Sequence, residues 1–156
     1  MSKISRPSGV FAAACSTCSV AADVWSVTSF TELRRDGLEV ERWNRLHPTE
    51  PQRRPYVEEQ LAGRKGPAVA STDYIRTFAD QIRPYVPGRY VALGTDGFGR
   101  SDYRVALRRF FEVDRHHVAV AALKALADEG AVEASVVASA IGRYGIEADA
   151  AAPWTR

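Results

Sequence analysis

The sequence has no apolar run approaching the roughly 20 residues a membrane-spanning helix needs, so it offers no candidate span. Lys3 and Arg6 precede a short apolar run at 10–14. That run of about five residues is shorter than the about 7–15 of a secretory signal. Export is therefore not expected, and a cytoplasmic chain is. Charge of one sign is also missing: 21 Lys and Arg face 19 Asp and Glu, a formal net charge of +2. So small an imbalance argues against nucleic acid or an anionic membrane as partner. The basic pairs Arg34-Arg35, Arg53-Arg54 and Arg108-Arg109 lie beside acids or proline, with no interleaved aromatics. They read as solvated surface. Cysteine is scarce as well. Cys15 and Cys18 form the one C-x-x-C spacing, but no strand precedes it, as a redox helix would require. A zinc site would need further ligands. The only histidines, His47, His116 and His117, have no ligand spacing to the cysteines. Two free thiols and no metal are expected.

What remains is ordinary globular composition: 156 residues, 46% apolar and 26% charged. That suffices for one domain with one core. Residues 1–20 are rich in Ser, Ala and Thr, with no acid before Asp23, and read as disordered or as a weak helix at 11–15. From residue 21 to 150 the texture is that of a folded domain. Residues 24–29 are β-branched and aromatic, the composition of a strand. A helix-period stretch follows from Thr31 to about Leu46, with Leu33, Leu38, Val40 and Trp43 as candidate buried positions. Pro48 and Pro51 end it. A short helix over 56–61 closes at Gly63. Residues 67–72 predict a second strand. Asp73 is a natural N-cap for a helix over 74–86, distorted near Pro84. Residues 90–95 predict a third strand, and Ser101 a cap for a helix over 102–112. Asp114 caps a long apolar helix that ends at Gly130. A last helix over 133–143 stops at Gly145, and 151–156 read as a loose tail. Strands alternating with helices predict α/β: a three-layer, mostly parallel sheet with helices on both faces. Three strands are few for such a sheet, which usually holds about five or six.

The constellations that could carry chemistry are weak. Gly94-Thr95-Asp96-Gly97-Phe98-Gly99 follows a strand and precedes a helix, where a phosphate loop would sit. Its order is G-x-x-G-x-G, no Gly-Lys-Ser/Thr follows, and Asp96 and Asp102 would repel a phosphate. Glycines permitting tight turns are the plainer reading. His116 and His117 are adjacent, hence about 100° apart on a helix, and cannot grip one metal from one face. Glu58-Glu59 and Asp128-Glu129 read as solvated charge. No nucleophile-elbow signal supports a Ser-His-Asp arrangement. No catalytic, cofactor-binding or metal residues are assigned.

The string Leu93-Gly94-Thr95-Asp96-Gly97-Phe98-Gly99-Arg100-Ser101-Asp102 resembles the LGTDGFGRSD signature of the homodimeric bacterial pyruvate dehydrogenase E1 component. Val24 to Leu33, Glu41-Arg42-Trp43-Asn44, Leu46-His47-Pro48, Pro67 to Tyr74, Leu107 to Asp114 and Val118 to Ala127 agree with the same family in order. The resemblance covers about residues 20–150 and not 1–20. It implies the C-terminal, transketolase-type domain of a thiamine-diphosphate enzyme that decarboxylates pyruvate and acylates the lipoyl group of the E2 acetyltransferase. In that family the first two domains carry the catalytic residues, and the third contributes to dimer packing. Nothing here matches the family's Gly-Asp-Gly…Asn motif for Mg²⁺ and diphosphate, nor its cofactor-activating Glu. The expectation is therefore an N-terminally truncated third domain, without its first strand and helix, that binds neither thiamine diphosphate nor Mg²⁺.

Such a chain is expected to be non-catalytic alone and to pack against itself or a full-length E1. Asp96, Gly97, Phe98, Gly99, Arg100, Ser101 and Asp102 form the candidate interface, because a Gly-rich turn displaying Phe98 and Arg100 suits a contact surface. The plainer alternative is Phe98 packed under its own loop. Two other readings compete. One is a standalone module that associates with E1 or its complex. The other is a small nucleotide-binding enzyme that uses Gly94 to Gly99.

Overall fold

A computed structural model describes residues 4–5 and 20–156. The elements run β1 (Ile4–Ser5), β2 (Ser26–Val27), α1 (Phe30–Leu46), α2 (Tyr56–Leu61), β3 (Ala68–Ser71) and α3 (Thr77–Asp80). A 3-10 turn at Arg83–Tyr85 leads to β4 (Tyr90–Leu93), then α4 (Arg104–Phe110), α5 (Arg115–Asp128), α6 (Ala134–Arg143) and a final 3-10 turn, Pro153–Thr155. The expected weak helix at 11–15 and the Cys15/Cys18 pair lie outside the described residues.

The centre is a parallel pair, β3 on β4, in register from Ala68 opposite Tyr90 to Ser71 opposite Leu93. Alternate residues of a strand point to opposite faces. Ala68, Ala70, Tyr90 and Ala92 therefore share one face. It packs on the main core with Leu33 of α1, Val57 of α2, Ala79 of α3, and Ile82, Tyr85 and Val86 around the first 3-10 turn. α5 packs against both strands but contributes nothing to that cluster, so it covers the opposite face. Leu123 of α5 and Val137 and Ala140 of α6 make a second, smaller cluster. The result is the expected α/β layering, with helices on both faces of a small parallel sheet.

Several elements depart from expectation. The strand texture at 24–29 yields only the two residues of β2, paired antiparallel with β1 rather than joined to the parallel sheet. Trp25 and Val27 pack against the main core from outside the ladder. β-propensity records that half-buried fit and does not specify a pairing partner. The helix expected over 74–86 is broken into four-residue α3 and the 3-10 turn. Pro84 occupies the start of that turn, where its missing N–H costs nothing. Asp73 does not cap. Its carboxylate instead takes the Arg108 guanidinium through two hydrogen bonds of 3.1 and 2.8 Å. Ser101 does not cap either: α4 starts at Arg104 behind Tyr103, without a side-chain cap. In α1, Leu33 is fully buried, but Leu38 is exposed and Gly37 is buried in its stead. A Cβ on Gly37 would stand 2.3 Å from the Tyr85 ring; the bare backbone admits that ring against the helix.

Ser29, read as the end of a strand, instead caps α1 by accepting the Glu32 N–H at 3.2 Å. Other features agree closely. Asp114 caps α5 by accepting the N–H groups of His116 and His117, both at 2.9 Å. Gly63, Gly130 and Gly145 follow α2, α5 and α6 with positive φ, the left-handed stop that glycine adopts freely. The 151–156 segment, read as a loose tail, holds the last 3-10 turn with Pro153 buried. No described helix is long and apolar enough to cross a membrane.

Candidate interaction surface

The segment 94–102 leaves the C-terminal end of β4 and passes close to the chain at 73–76. Gly94 makes that approach possible. A Cβ there would lie 2.3 Å from the Arg76 backbone nitrogen and 2.8 Å from the Tyr74 carbonyl oxygen. Thr95 ties the two segments together. Its N–H donates to the Tyr74 carbonyl at 2.8 Å and its hydroxyl to the Asp73 carbonyl at 3.0 Å. Asp96 adds a double tie to Arg76. One carboxylate oxygen accepts the Arg76 backbone N–H at 2.9 Å, and the other meets the guanidinium at 3.2 Å. Gly97 then turns with φ +108, a conformation glycine tolerates, and passes against the backbone of Pro153 and Trp154. Beyond it Phe98 is 86% exposed, which excludes a ring packed under its own loop. Gly99 has open space around it. Arg100 lays its guanidinium 4.0 Å from the centre of the Phe110 ring. Ser101 is exposed, and Asp102 accepts the N–H of Tyr103 at 2.7 Å.

The seven candidate interface residues are thus contiguous on the surface, with the first anchored, Phe98 displayed and Arg100 braced. Sequence reasoning missed the residues that hold the loop: Arg76, Phe110 and Trp154. Arg76 reaches both Asp96 and, at 5.4 Å, the Trp154 ring. The one signal available was a tryptophan in an otherwise Ala-rich tail.

The same geometry bears on phosphate. A phosphate loop presents free backbone N–H groups. Here the N–H groups of Thr95 and Arg76 are already engaged, the Gly94 notch is filled by backbone, and a carboxylate sits at the turn. At the start of the loop, the N–H groups of Thr95 and Arg76 are therefore not available to a phosphate.

The histidines are scattered. His47 stacks on Trp43 at 4.4 Å, and its Nδ1 lies 2.8 Å from the Trp43 carbonyl. His116 stacks on Tyr144 at 4.7 Å, while His117 sets Nδ1 2.8 Å from Asp114. Burial alone would raise the Asp114 pKa, but the hydrogen bonds from His117 and His116 outweigh it and hold the carboxyl below its ordinary value. Among the described residues no three His, Cys, Asp or Glu side chains gather closely enough to hold a metal. A second surface feature was not anticipated. Val27, Phe30, Thr72, Tyr74 and Phe78 line an open groove of about 250 Å³ between β2 and the 72–78 segment.

The family model for the transketolase-like TK C-terminal domain matches residues 11–114. Its match starts inside the 1–20 segment that stood outside the resemblance. The chain is 64% identical over 129 residues to the pyruvate dehydrogenase E1 component of Pseudomonas aeruginosa, covering 82% of this chain and 15% of that protein. It is 60% identical over 128 residues to the E1 component of Cupriavidus necator, covering 82% and 14%. The E1 component of Escherichia coli K12 is 56% identical over 135 residues, covering 86% and 15%. The chain therefore spans about 15% of the length of these relatives. With a family match over most of its length and an α/β fold in agreement, the chain belongs to the transketolase-like C-terminal domain family.

Proposed function

We propose that this chain is a packing domain of a pyruvate dehydrogenase E1 component, non-catalytic by itself, that associates with itself or with a full-length E1 through residues 96–102. The observation that carries this reading is the 86% exposure of Phe98 on a loop braced on both sides. An aromatic ring displayed from a fixed backbone loses little conformational freedom on binding and buries a large apolar area. Arg100 beside it adds a planar cation, and aromatic residues and arginine are enriched at contact surfaces. The high identity to E1 components supports an E1 subunit as the partner. Thiamine diphosphate, Mg²⁺, pyruvate and the lipoyl-bearing E2 belong on this reading to the rest of an E1 subunit, since this sequence does not carry the family's Gly-Asp-Gly…Asn motif.

Sedimentation velocity of the chain over a concentration series, alone and with a full-length E1, tests the proposal. Phe98→Ala should weaken association about tenfold, equivalent to about 1.4 kcal/mol, with the circular dichroism spectrum unchanged. Equal association by the variant and the parent chain would remove the assigned surface. Pyruvate decarboxylation by the chain alone, supplied with thiamine diphosphate and Mg²⁺, would remove the non-catalytic assignment.

A further inference from the structure

We infer that the Pro153–Thr155 turn with Arg156 is a strap that sets the conformation of the 96–102 loop, with Trp154 as its positioning residue. The loop's function as a contact surface rests on the reading above, whereas the mechanics of the strap do not. Four observations converge. Pro153 is buried, so the turn is seated on the domain. Trp154 and Pro153 lie against Gly97 so closely that a Cβ on Gly97 would fall 2.8 Å from the Trp154 Cα and 3.2 Å from the Pro153 carbonyl. Arg76 stands between the two segments, paired with Asp96 at 3.2 Å and over the Trp154 ring at 5.4 Å. Arg156 pairs with Glu112 at 3.3 Å and approaches the Phe110 ring at 5.1 Å, the same ring that Arg100 approaches at 4.0 Å.

Loop and strap therefore share two supports, Arg76 on one side and Phe110 on the other. Each contact is individually modest. Cation–π contacts at exposed sites contribute about 0.5–1 kcal/mol and exposed ion pairs about 0–1. They matter together because a loop built around Gly97 and Gly99 has little order of its own. With the strap in place, Gly97 has backbone on one side and Phe98 is turned outward. Without it, residues 97–101 lose a wall, and the displayed ring is free to fold back.

Hydrogen exchange read by mass spectrometry on the full chain tests this. Trp154→Ala should raise exchange about tenfold at the Thr95 and Arg76 N–H groups, which bond to the Tyr74 carbonyl and to Asp96, and leave α5 unchanged. Trp154→Phe, which keeps a flat ring beside Arg76, should stay within about twofold of the parent chain. Unchanged exchange at Thr95 and Arg76 in Trp154→Ala would overturn the inference. So would an equal rise in α5, since a strap acting on one loop must not loosen a distant helix. If Trp154→Ala frees the loop while Phe98→Ala leaves association intact, the strap stands and the contact-surface reading falls.

Discussion

Tyr90 shows how much one side chain can be asked to do. It is buried in the main core, yet its hydroxyl donates to the Ala79 carbonyl at 2.8 Å. Burial, with a smaller push from Asp80, raises its pKa well above that of a free phenol, against a smaller opposing pull from Arg83. Its own backbone carbonyl accepts from Arg83 at 2.7 Å. Tyr90 thereby links β4 to both α3 and the turn that follows it. Tyr90→Phe keeps the ring and removes the hydroxyl donor to the Ala79 carbonyl, which retains only the longer bond from the Ile82 N–H at 3.5 Å and the Gln81 N–H; this should cost about 1 kcal/mol. A urea denaturation series reads that as a lower midpoint at constant slope. An unchanged midpoint would mean that water replaces the hydroxyl.

At the scale of the element, Asp73 and Asp114 make an instructive pair. Each precedes an apolar helix-period stretch, and each reads as an N-cap. Asp114 does cap α5. Asp73 is claimed by Arg108, a residue 35 positions away, and the hydrogen bond from that guanidinium is the main reason its pKa is lowered. No local pattern reveals a competitor that far along the chain. The Asp114 cap, the glycine stops and the β3 and β4 strands were legible because their causes are local. The distortion at Pro84 was legible for the same reason, whereas the diversion of β2 and the exchange of Leu38 for Gly37 depend on the Tyr85 ring and other distant partners. The loop residues were legible from their string, while their supports were not.

The cap also carries a pH dependence. Asp114 has a folded pKa below its ordinary value of 3.8, so the ionised form is the one folding favours. Its contribution is complete above the unfolded value and is lost as pH falls through the folded one. Asp114→Ala should cost about 1 kcal/mol at neutral pH. The gap between variant and parent should close as the pH is taken below 3.8. Thermal melts at a series of pH values check this, and a gap that stays constant in acid would exclude the ionised cap.

For the molecule as a whole, the division into two apolar clusters is decisive. Leu33, fully buried, sits where α1, α2, the first 3-10 turn and the sheet converge. Leu33→Ala should cost about 2–5 kcal/mol, a large part of the about 5–15 kcal/mol that a domain possesses. Hydrogen exchange should then rise across the whole chain. Val137 belongs to the α5–α6 cluster. Val137→Ala should cost about 2 kcal/mol and raise exchange chiefly in those two helices. A uniform rise in both variants would show that the clusters unfold as one.

The close approach of Gly97 to Trp154 reaches beyond stability. A side chain at 97 would need both a strained backbone and a displaced turn, so the position tolerates no residue but glycine while 153–154 stay where they are. Two stretches far apart in sequence are thereby subject to a single constraint. They must vary together or not at all, and drift at one of them is paid in the shape of the other.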